Sequence, residues 1–382
     1  MLETEAQFVV PLVSAAGTLL FLFIRAARLR LALQRVPIRI HVGGSRGKTT
    51  TCRLIAAALQ ASGVRTIAKT TGTEPRLILP DGSARPWARF GPPTVAEQRR
   101  FMLFARGAGA KAVVLECMAI RPELVWSSER YLVRATIAVI TNLRPDHLED
   151  TPTIDDVARS FAGLVPNQGV LVADRGALTP LLRQRATARA TRIVEVDTAG
   201  LPHEEADAVI ARAVCEAAGI AFAPAAAGSP AIDPDPGNFG IVEVDLEGKQ
   251  FRFANAFACN DVVSLSVLWE RHSAPDGSIV VLLNHRQDRP LRSLQFLDWL
   301  ASLPRKPPLL LLGSTAWLRR AALRRGLSCE ALPAPWRASG EALLSQLARR
   351  VPQGSVLWGI GNYHGAGALM SRALQSRHAC SH

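Results

Sequence analysis

Lysine is scarce in this chain of 382 residues, occurring only at positions 48, 69, 111, 249 and 306, and tyrosine occurs twice. Aromatic residues make up 6% of the chain, and no stretch resembles an RNA- or DNA-binding module. Nucleic acid is therefore the weakest partner that the charge would admit. The six cysteines, Cys52, Cys117, Cys215, Cys259, Cys329 and Cys380, include no C-x-x-C pair. That spacing excludes a zinc site of this type and a disulfide framework, and it fits a reducing compartment. No internal repeat is visible. Only one apolar run is long enough to matter for a membrane, so a polytopic protein is excluded.

What is present is a globular composition, 48% hydrophobic and 20% charged, with a net charge of +13 carried almost wholly by arginine. A coding bias toward arginine accounts for the excess as well as function does. The functional reading is a polyanionic partner: membrane phospholipid, nucleic acid or an acidic polymer. The chain is long enough for two domains and an anchor.

The one long apolar run, residues 8–24, carries no charge. As a helix it spans roughly 25 Å at ~1.5 Å per residue, the short end of a membrane span. Glu3 and Glu5 precede it, and Arg25, Arg28, Arg30 and Arg35 follow at once. The positive-inside rule then predicts a single-pass anchor in the cell (inner) membrane, its N-terminus outside and the remaining chain cytoplasmic. The acidic start and the lack of a small-residue cleavage site argue against a signal peptide. A buried N-terminal helix is the alternative.

The most informative stretch is 39–51, RIHVGGSRGKTTT. It reads as a short strand, a tight glycine loop and the start of an Ala/Leu-rich helix, the geometry of a phosphate-binding loop. Glycines let the backbone turn its N–H groups inward, and the helix N-terminus adds its positive end. Gly44, Ser45, Arg46, Gly47, Lys48, Thr49 and Thr50 are the expected nucleotide contacts. Lys48 is placed to reach the β- and γ-phosphates, and the Thr49 hydroxyl to ligate Mg²⁺. The spacing is not a standard Walker A, because Val42 stands where the first glycine belongs. ATP with Mg²⁺, or Mn²⁺ as the alternative, is the expected ligand pair.

From about residue 37, β-rich runs alternate with Ala/Leu/Arg-rich helical stretches, the signature of a parallel sheet with crossover helices. Candidate strands are 38–42, 111–116, 135–141 and 169–173. None is read as ending in a Walker B aspartate. Residues 221–238 read as a Pro/Ala/Gly loop. A hairpin follows, 239–246 and 250–257, turning at Glu247-Gly248-Lys249. A second α/β unit is read from Ser278, with strands at 279–283, 308–313 and 355–362. The expected layout is an anchor at 1–36, a central P-loop, parallel-sheet ATP-binding domain at 37–275, and a smaller Rossmann-like α/β domain at 276–382.

Glu116 closes the strand of residues 111–116, and ligands of open parallel sheets sit beyond the carboxyl ends of the strands. That places Glu116 to meet a metal at the phosphate loop. The run 140–149, ITNLRPDHLE, follows another strand and brings His147 to the same edge, beside Asp146. An imidazole and a carboxylate suit Mg²⁺ or Mn²⁺ near a triphosphate, although Mg²⁺ prefers oxygen. Arg286, Arg289 and Arg292 follow the strand of residues 279–283 and offer bidentate partners for phosphate or carboxylate.

Together these motifs resemble the Mur-ligase superfamily of ATP-dependent amide ligases. Residues 44–50 look like its compact G-T-x-G-K-[ST] loop, Glu116 like its metal-binding glutamate, and Asn142, Asp146, His147 and Leu148 like its N-x-x-x-D-H-L motif. Asn260, in Phe257-Ala258-Cys259-Asn260-Asp261, resembles its adenine-contacting asparagine. The N-terminal anchor, Leu115–Ala119, the run 283–289 containing Arg286 and Asp288, and the run 359–362 make the chain most similar to the ligase subunits of bacterial poly-γ-glutamate synthases (the CapB/PgsB type). The resemblance implies a ligase that activates a terminal carboxylate as an acyl phosphate and adds glutamate to poly-γ-glutamate, releasing ADP and phosphate. Lys48, Glu116, His147 and Arg286 are then catalytic; Thr49, Glu116 and His147 hold the metal; Asn260, Arg286 and Asp288 contact nucleotide. It also implies small membrane subunits as partners in a synthase complex.

The chain departs from that pattern in places. No lysine lies between 111 and 249 to serve as the carbamylated lysine of many members, and Glu149, Asp150, Asp155 and Asp156 are the substitutes considered. Arg46 stands where the loop usually has asparagine, and His285, Tyr363 and His364 occupy variable positions. The phosphate loop begins about forty residues in, leaving no room before it for a UDP-sugar domain, which argues against a peptidoglycan precursor. A folate-type polyglutamate ligase and a P-loop NTPase or kinase are the other readings. The anchor opposes the first and the missing Walker B strand the second.

Overall fold

The computed structural model describes every residue except 1, 72–74, 90, 92, 146–149, 223–238, 260, 274–277, 288, 314–315, 335–338 and 379–382, with the backbone alone for 2–11 and 377–378. Contacts divide the chain into two units, residues 1–144 with 153–232, and residues 145–152 with 233–382.

The first unit is built on an eight-stranded sheet. Its strands are β1 (Ile38–Gly43), β2 (Thr66–Thr70), β3 (Arg76–Ile78), β4 (Ala84–Pro86), β5 (Ala112–Glu116), β6 (Ile137–Ile140), β7 (Val170–Asp174) and β8 (Arg192–Val196), in the order β4-β3-β2-β5-β1-β6-β7-β8. The six strands from β2 to β8 in that order run parallel, and β3 and β4 form an antiparallel edge. The helices are α1 (Leu2–Arg35), α2 (Lys48–Ala61), α3 (Glu97–Gly107), α4 (Pro122–Ser127), α5 (Ile154–Ala162), α6 (Pro180–Ala188) and α7 (His203–Ala217). The central strands are apolar along both faces because helices cover both. Ile55 and Leu59 of α2 and Ile210 and Val214 of α7 close one side, and Phe161, Leu164 and Leu182 close another. Register then decides the site. Val42 pairs with Glu116 and Gly43 with Ile140, so the loops after β1, β5 and β6 leave the sheet at one edge.

Helix α1 changes character along its length. Residues 12–26 are exposed on all sides, and the stretch Leu12–Arg35 is long and apolar enough to cross a membrane. From Leu29 onward it is part of the core, with Leu29, Ala32, Leu33 and Val36 packed among Phe101, Met102 and Ala105. Residues 1–36 are therefore not a separable anchor, because their last two turns complete the first unit.

The second unit holds a six-stranded sheet of β9 (Ile241–Leu246), β10 (Lys249–Asn255), β11 (Ile279–Asn284), β12 (Leu309–Leu312), β13 (Cys329–Leu332) and β14 (Val356–Gly361), in the order β13-β12-β11-β14-β10-β9. Helices α8 (Val262–His272), α9 (Pro290–Ser302), α10 (Ala316–Arg324), α11 (Gly340–Ala348) and α12 (Ala366–His378) flank it. The expected hairpin is β9–β10, turning on Glu247 and Gly248, both at positive φ (52° and 79°). Two such residues in succession match the right-handed twist of the strands they join. The domain break expected at 273–278 is corrected here. β10 pairs with β14, Arg252 opposite Val356, so the hairpin belongs to the second sheet and the break falls before β9. The expected loop 221–238 lies, from 223 onward, outside the described residues.

Gly359 sits in the middle of β14 with no room for a side chain. A Cβ there would meet the Phe257 ring at 2.6 and 2.8 Å and Phe253 at 3.0 Å. Gly359→Ala is expected to cost about 1–3 kcal/mol, the usual cost of overpacking a filled core. Thermal unfolding followed by circular dichroism measures it, and an unchanged melting temperature contradicts the packing.

Candidate active site

The loop between β1 and α2 turns on two glycines. Gly44 has φ 119° and Gly47, the N-cap of α2, has φ 78°. Both angles favour glycine, and space requires it as well, since a Cβ on Gly44 would strike Thr141 and one on Gly47 would strike Asp207. No side chain caps α2. Its first-turn N–H groups have no partner within the helix, which is the arrangement that attracts an anion.

The loop after β6 holds the phosphate loop in shape. Asn142 clamps the Arg46 peptide from both sides: its Oδ1 accepts from the Arg46 N–H at 3.0 Å and its Nδ2 donates to the Arg46 carbonyl at 3.2 Å. The Ser45 N–H donates to the Asn142 carbonyl at 3.0 Å. The Ser45 hydroxyl donates to the Arg144 carbonyl at 2.7 Å and accepts from the Arg144 N–H at 2.9 Å. The first asparagine of the 142–148 motif is thus a brace for the loop.

Lys48 lies on the first turn of α2 and folds back over the loop, its Nζ donating to the carbonyls of Gly44 at 2.7 Å and Ser45 at 3.1 Å. Thr49 and Thr50 share that turn. The Thr49 hydroxyl donates to Glu116 Oε2 at 2.9 Å, and the backbone N–H of Thr71 donates to the same oxygen at 2.6 Å. Two of the expected metal ligands, Thr49 at the start of α2 and Glu116 at the end of β5, therefore touch. Their hydroxyl and carboxylate oxygens suit a hard cation such as Mg²⁺ or Mn²⁺, and the glycine cradle beside them suits phosphate, so the residues present fit both groups. Among the described residues no three of His, Cys, Asp and Glu cluster as a metal site. His147, with Asp146, Leu148 and Glu149, lies outside the described residues, as do Asn260 and Asp288.

Two expectations are corrected. β7 runs one residue beyond the expected strand 169–173 and ends in a carboxylate, Asp174, where no strand was read as closing on a Walker B aspartate. That carboxylate accepts from the Thr198 hydroxyl at 2.6 Å and stands a strand away from β1, beyond β6. Asp156 is not available as a substitute for the carbamylated lysine, because it forms the capping box of α5 with Thr153 and pairs with Arg159 at 2.8 Å.

Arg286 belongs to the second unit, in the loop after β11. Asn284 at that strand's end donates to the His364 carbonyl at 2.9 Å, tying the loops after β11 and β14 together. Arg292, buried on α9, donates to Asn362 Oδ1 at 3.2 Å, and His285 Nδ1 lies 2.9 Å from the Ser293 hydroxyl. Arg292 thus braces a loop, while Arg286 is half-buried at its rim.

Sequence reading missed three residues around the phosphate loop. Asp207, buried on α7, accepts from the Thr51 hydroxyl at 3.1 Å. Burial pushes its carboxyl up to about 7, against the pull of that hydroxyl. Its only signal is a carboxylate on the apolar face of an alanine-rich helix. Lys69, fully buried on β2, pairs with Glu97 Oε2 at 3.1 Å, and burial lowers its pKa. His41, fully buried on β1, lies with Nδ1 2.8 Å from Glu129 Oε2. Glu129 sits on the π-helical turn Ser128–Val133 and also accepts from the Ala135 N–H at 2.7 Å.

Burial opposes the proton on His41, but the Cys117 and Glu129 side chains beside it outweigh burial and raise its pKa to about 9 from an ordinary 6.5. Between those values the folded protein holds a proton that the unfolded chain has released. The pair's stabilisation is complete below about 6.5 and is lost as pH rises through about 9. Removing the cation strands a buried carboxylate, so His41→Leu is expected to cost about 3–5 kcal/mol at neutral pH. The variant's melting temperature should also lose the alkaline decline of the wild type. Thermal melts across that pH range test this, and a wild-type melting temperature that rises through it contradicts the assignment.

Comparison with known proteins places this geometry among relatives. Residues 42–259 match the Mur ligase middle domain family, and residues 241–377 match the poly-gamma-glutamate synthase CapB C-terminal domain family. The chain is 30% identical over 351 residues to PGA synthase CapB of Bacillus subtilis (strain 168), covering 87% of this chain and 89% of that protein. It is 30% identical over 354 residues to capsule biosynthesis protein CapB of Bacillus anthracis, covering 87% and 75%. Among solved structures, E. coli FolC in complex with ADP superposes with a TM-score of 0.64 over 93% of both chains at 17% identity, a likeness of fold.

Proposed function

The chain belongs to the Mur ligase family, in the group that carries the poly-gamma-glutamate synthase CapB C-terminal domain, and we infer from this that it is an ATP-dependent amide ligase making γ-linked polyglutamate. The observation that carries the reading is the joining, in one chain, of a phosphate-loop domain to that C-terminal domain. The reaction activates a terminal carboxylate by phosphoryl transfer from ATP. The amine of glutamate then attacks the carbonyl carbon, and the C–O bond to phosphate breaks.

The protein's work is positioning and charge neutralisation. Gly44 to Gly47 shape a cradle for the triphosphate, held open by Asn142. Lys48, on the loop carbonyls in this structure, is the side chain that would turn to a phosphate in the cradle. Thr49 and Glu116 hold the divalent cation, Mg²⁺ or Mn²⁺, with His147 as a third ligand; when bound, the cation offsets charge on the transferring phosphoryl group. Arg286 meets substrate carboxylate or nucleotide phosphate, and Asn260 and Asp288 meet the nucleotide. The substrates are glutamate and poly-γ-glutamate, whose carboxylates suit an arginine-rich surface. α1 crosses the cell membrane once with both units cytoplasmic, and small membrane subunits complete a synthase.

Product analysis tests this reading. Membranes containing the full chain, given ATP, Mg²⁺ and labelled glutamate, should yield a polymer resistant to ordinary peptidases and cleaved by γ-glutamyl hydrolysis. Label found only on a pteridine-containing acceptor would favour the folate-type ligase instead.

A further inference from the structure

The end of the apolar span is joined stiffly to the first unit. Arg39 Nη1 donates to the carbonyls of Leu33 at 3.1 Å and Val36 at 2.8 Å, closing the C-terminus of α1, while its Nε donates to the Arg134 carbonyl at 2.8 Å. With Leu29, Ala32 and Leu33 packed against α3, the direction of α1 is set by the folded unit. One turn before that packing begins stand Arg25 and Arg28, both exposed and three residues apart on one helical face. Arg99 of α3 reaches the same place, its Nη2 donating to the Arg25 carbonyl at 3.3 Å. Its Nε is buried without a hydrogen-bond partner. Burial lowers the Arg99 pKa, and the charges of Arg25 and Arg28 lower it further, so the three cations crowd one another. Among the described residues none of the three has an ion pair.

We propose that Arg25, Arg28 and Arg99 form a seat for the headgroup phosphates of anionic phospholipid, so that the first unit rests with the N-terminal end of α3 against the inner leaflet. The inference rests on the reading of α1 as a membrane span. Three observations favour lipid as the occupant. Arg25 and Arg28 lie within about one turn of Ile24, where the uncharged run ends, which puts them at headgroup depth if that run spans the membrane. A folded helix supplies the third of them, which a loose tether does not need. Like charges held this close, with no carboxylate among them, are relieved by a polyanionic surface.

The test uses the full chain in nanodiscs of phosphatidylcholine alone and of phosphatidylcholine mixed with phosphatidylglycerol. Amide exchange is followed over Glu97–Gly107. Exchange there is expected to slow by about fivefold in the anionic discs, the scale of one or two headgroup contacts, and the slowing should vanish at high salt. Arg25→Gln with Arg28→Gln changes two exposed side chains and leaves Arg99 in place. It should stay inserted through a carbonate wash and exchange alike in both lipids. Equal exchange of the inserted wild type in both lipids overturns the seat alone, as does a variant that keeps the anionic effect. Wild type washed from both discs overturns the span, and the seat with it.

Discussion

Lys48→Ala abolishes glutamate-dependent ADP formation while the circular dichroism spectrum stays that of the folded protein. Lys48 is half-buried on the first turn of α2, and its Nζ donates to the carbonyls of Gly44 and Ser45. Those bonds tidy the loop, but the Asn142 clamp and the Ser45–Arg144 pair keep its shape without them. What the loop loses is the ammonium that its own helix start offers to the phosphates. Removing a single positioned electrostatic group costs about 10²–10³ in kcat, and a charge bearing on the transferring phosphoryl stands at the upper end. ADP release and the spectrum are measured on the same preparation, and near-normal turnover in a folded variant removes the phosphate-loop assignment.

Glu116→Gln has a different signature. The amide keeps an oxygen that accepts from the Thr49 hydroxyl and the Thr71 N–H, now at 2.9 and 2.6 Å, so the fold is retained. The negative charge that holds a divalent cation is gone. The expected result is a raised metal requirement and a fall in kcat of about 10², with nucleotide affinity measured without metal little changed. His147→Ala should behave alike, and the two together should cost less than the product of the singles, because both serve one ion. Full activity of His147→Ala across a metal titration would make His147 a structural loop residue and leave the metal to Thr49 and Glu116.

The phosphate loop was legible because several independent signals coincide within thirteen residues: a strand, glycines where φ is positive, and a helix that opens on Lys-Thr. Glu116 was legible because parallel topology puts strand ends at one edge, and the register Val42 to Glu116 bears that out. The hairpin at 247–248 was legible from its turn, yet its sheet was not. β9 and β10 alternate polar and apolar residues like any edge pair, and only long-range pairing with β14 assigns them to the second unit. β2 was missed because Thr-Ile-Ala-Lys-Thr carries a charge in a fully buried strand, satisfied by Glu97 on a distant helix. β8 was missed because Arg192 and Glu195 break its apolar run. His41, Glu129 and Asp207 lie 88 residues or more from their partners or, for Asp207, 156 residues from Thr51, a distance no periodicity bridges.

The most direct measurement is the count of ADP released against glutamate incorporated by purified membranes, with polymer recovered from the same reaction. A carboxylate activated as an acyl phosphate gives one ADP and one phosphate for each amide bond. ADP release should depend on glutamate and divalent metal, and it should vanish with Lys48→Ala. Release of AMP and pyrophosphate, or ADP release indifferent to glutamate, contradicts the ligase.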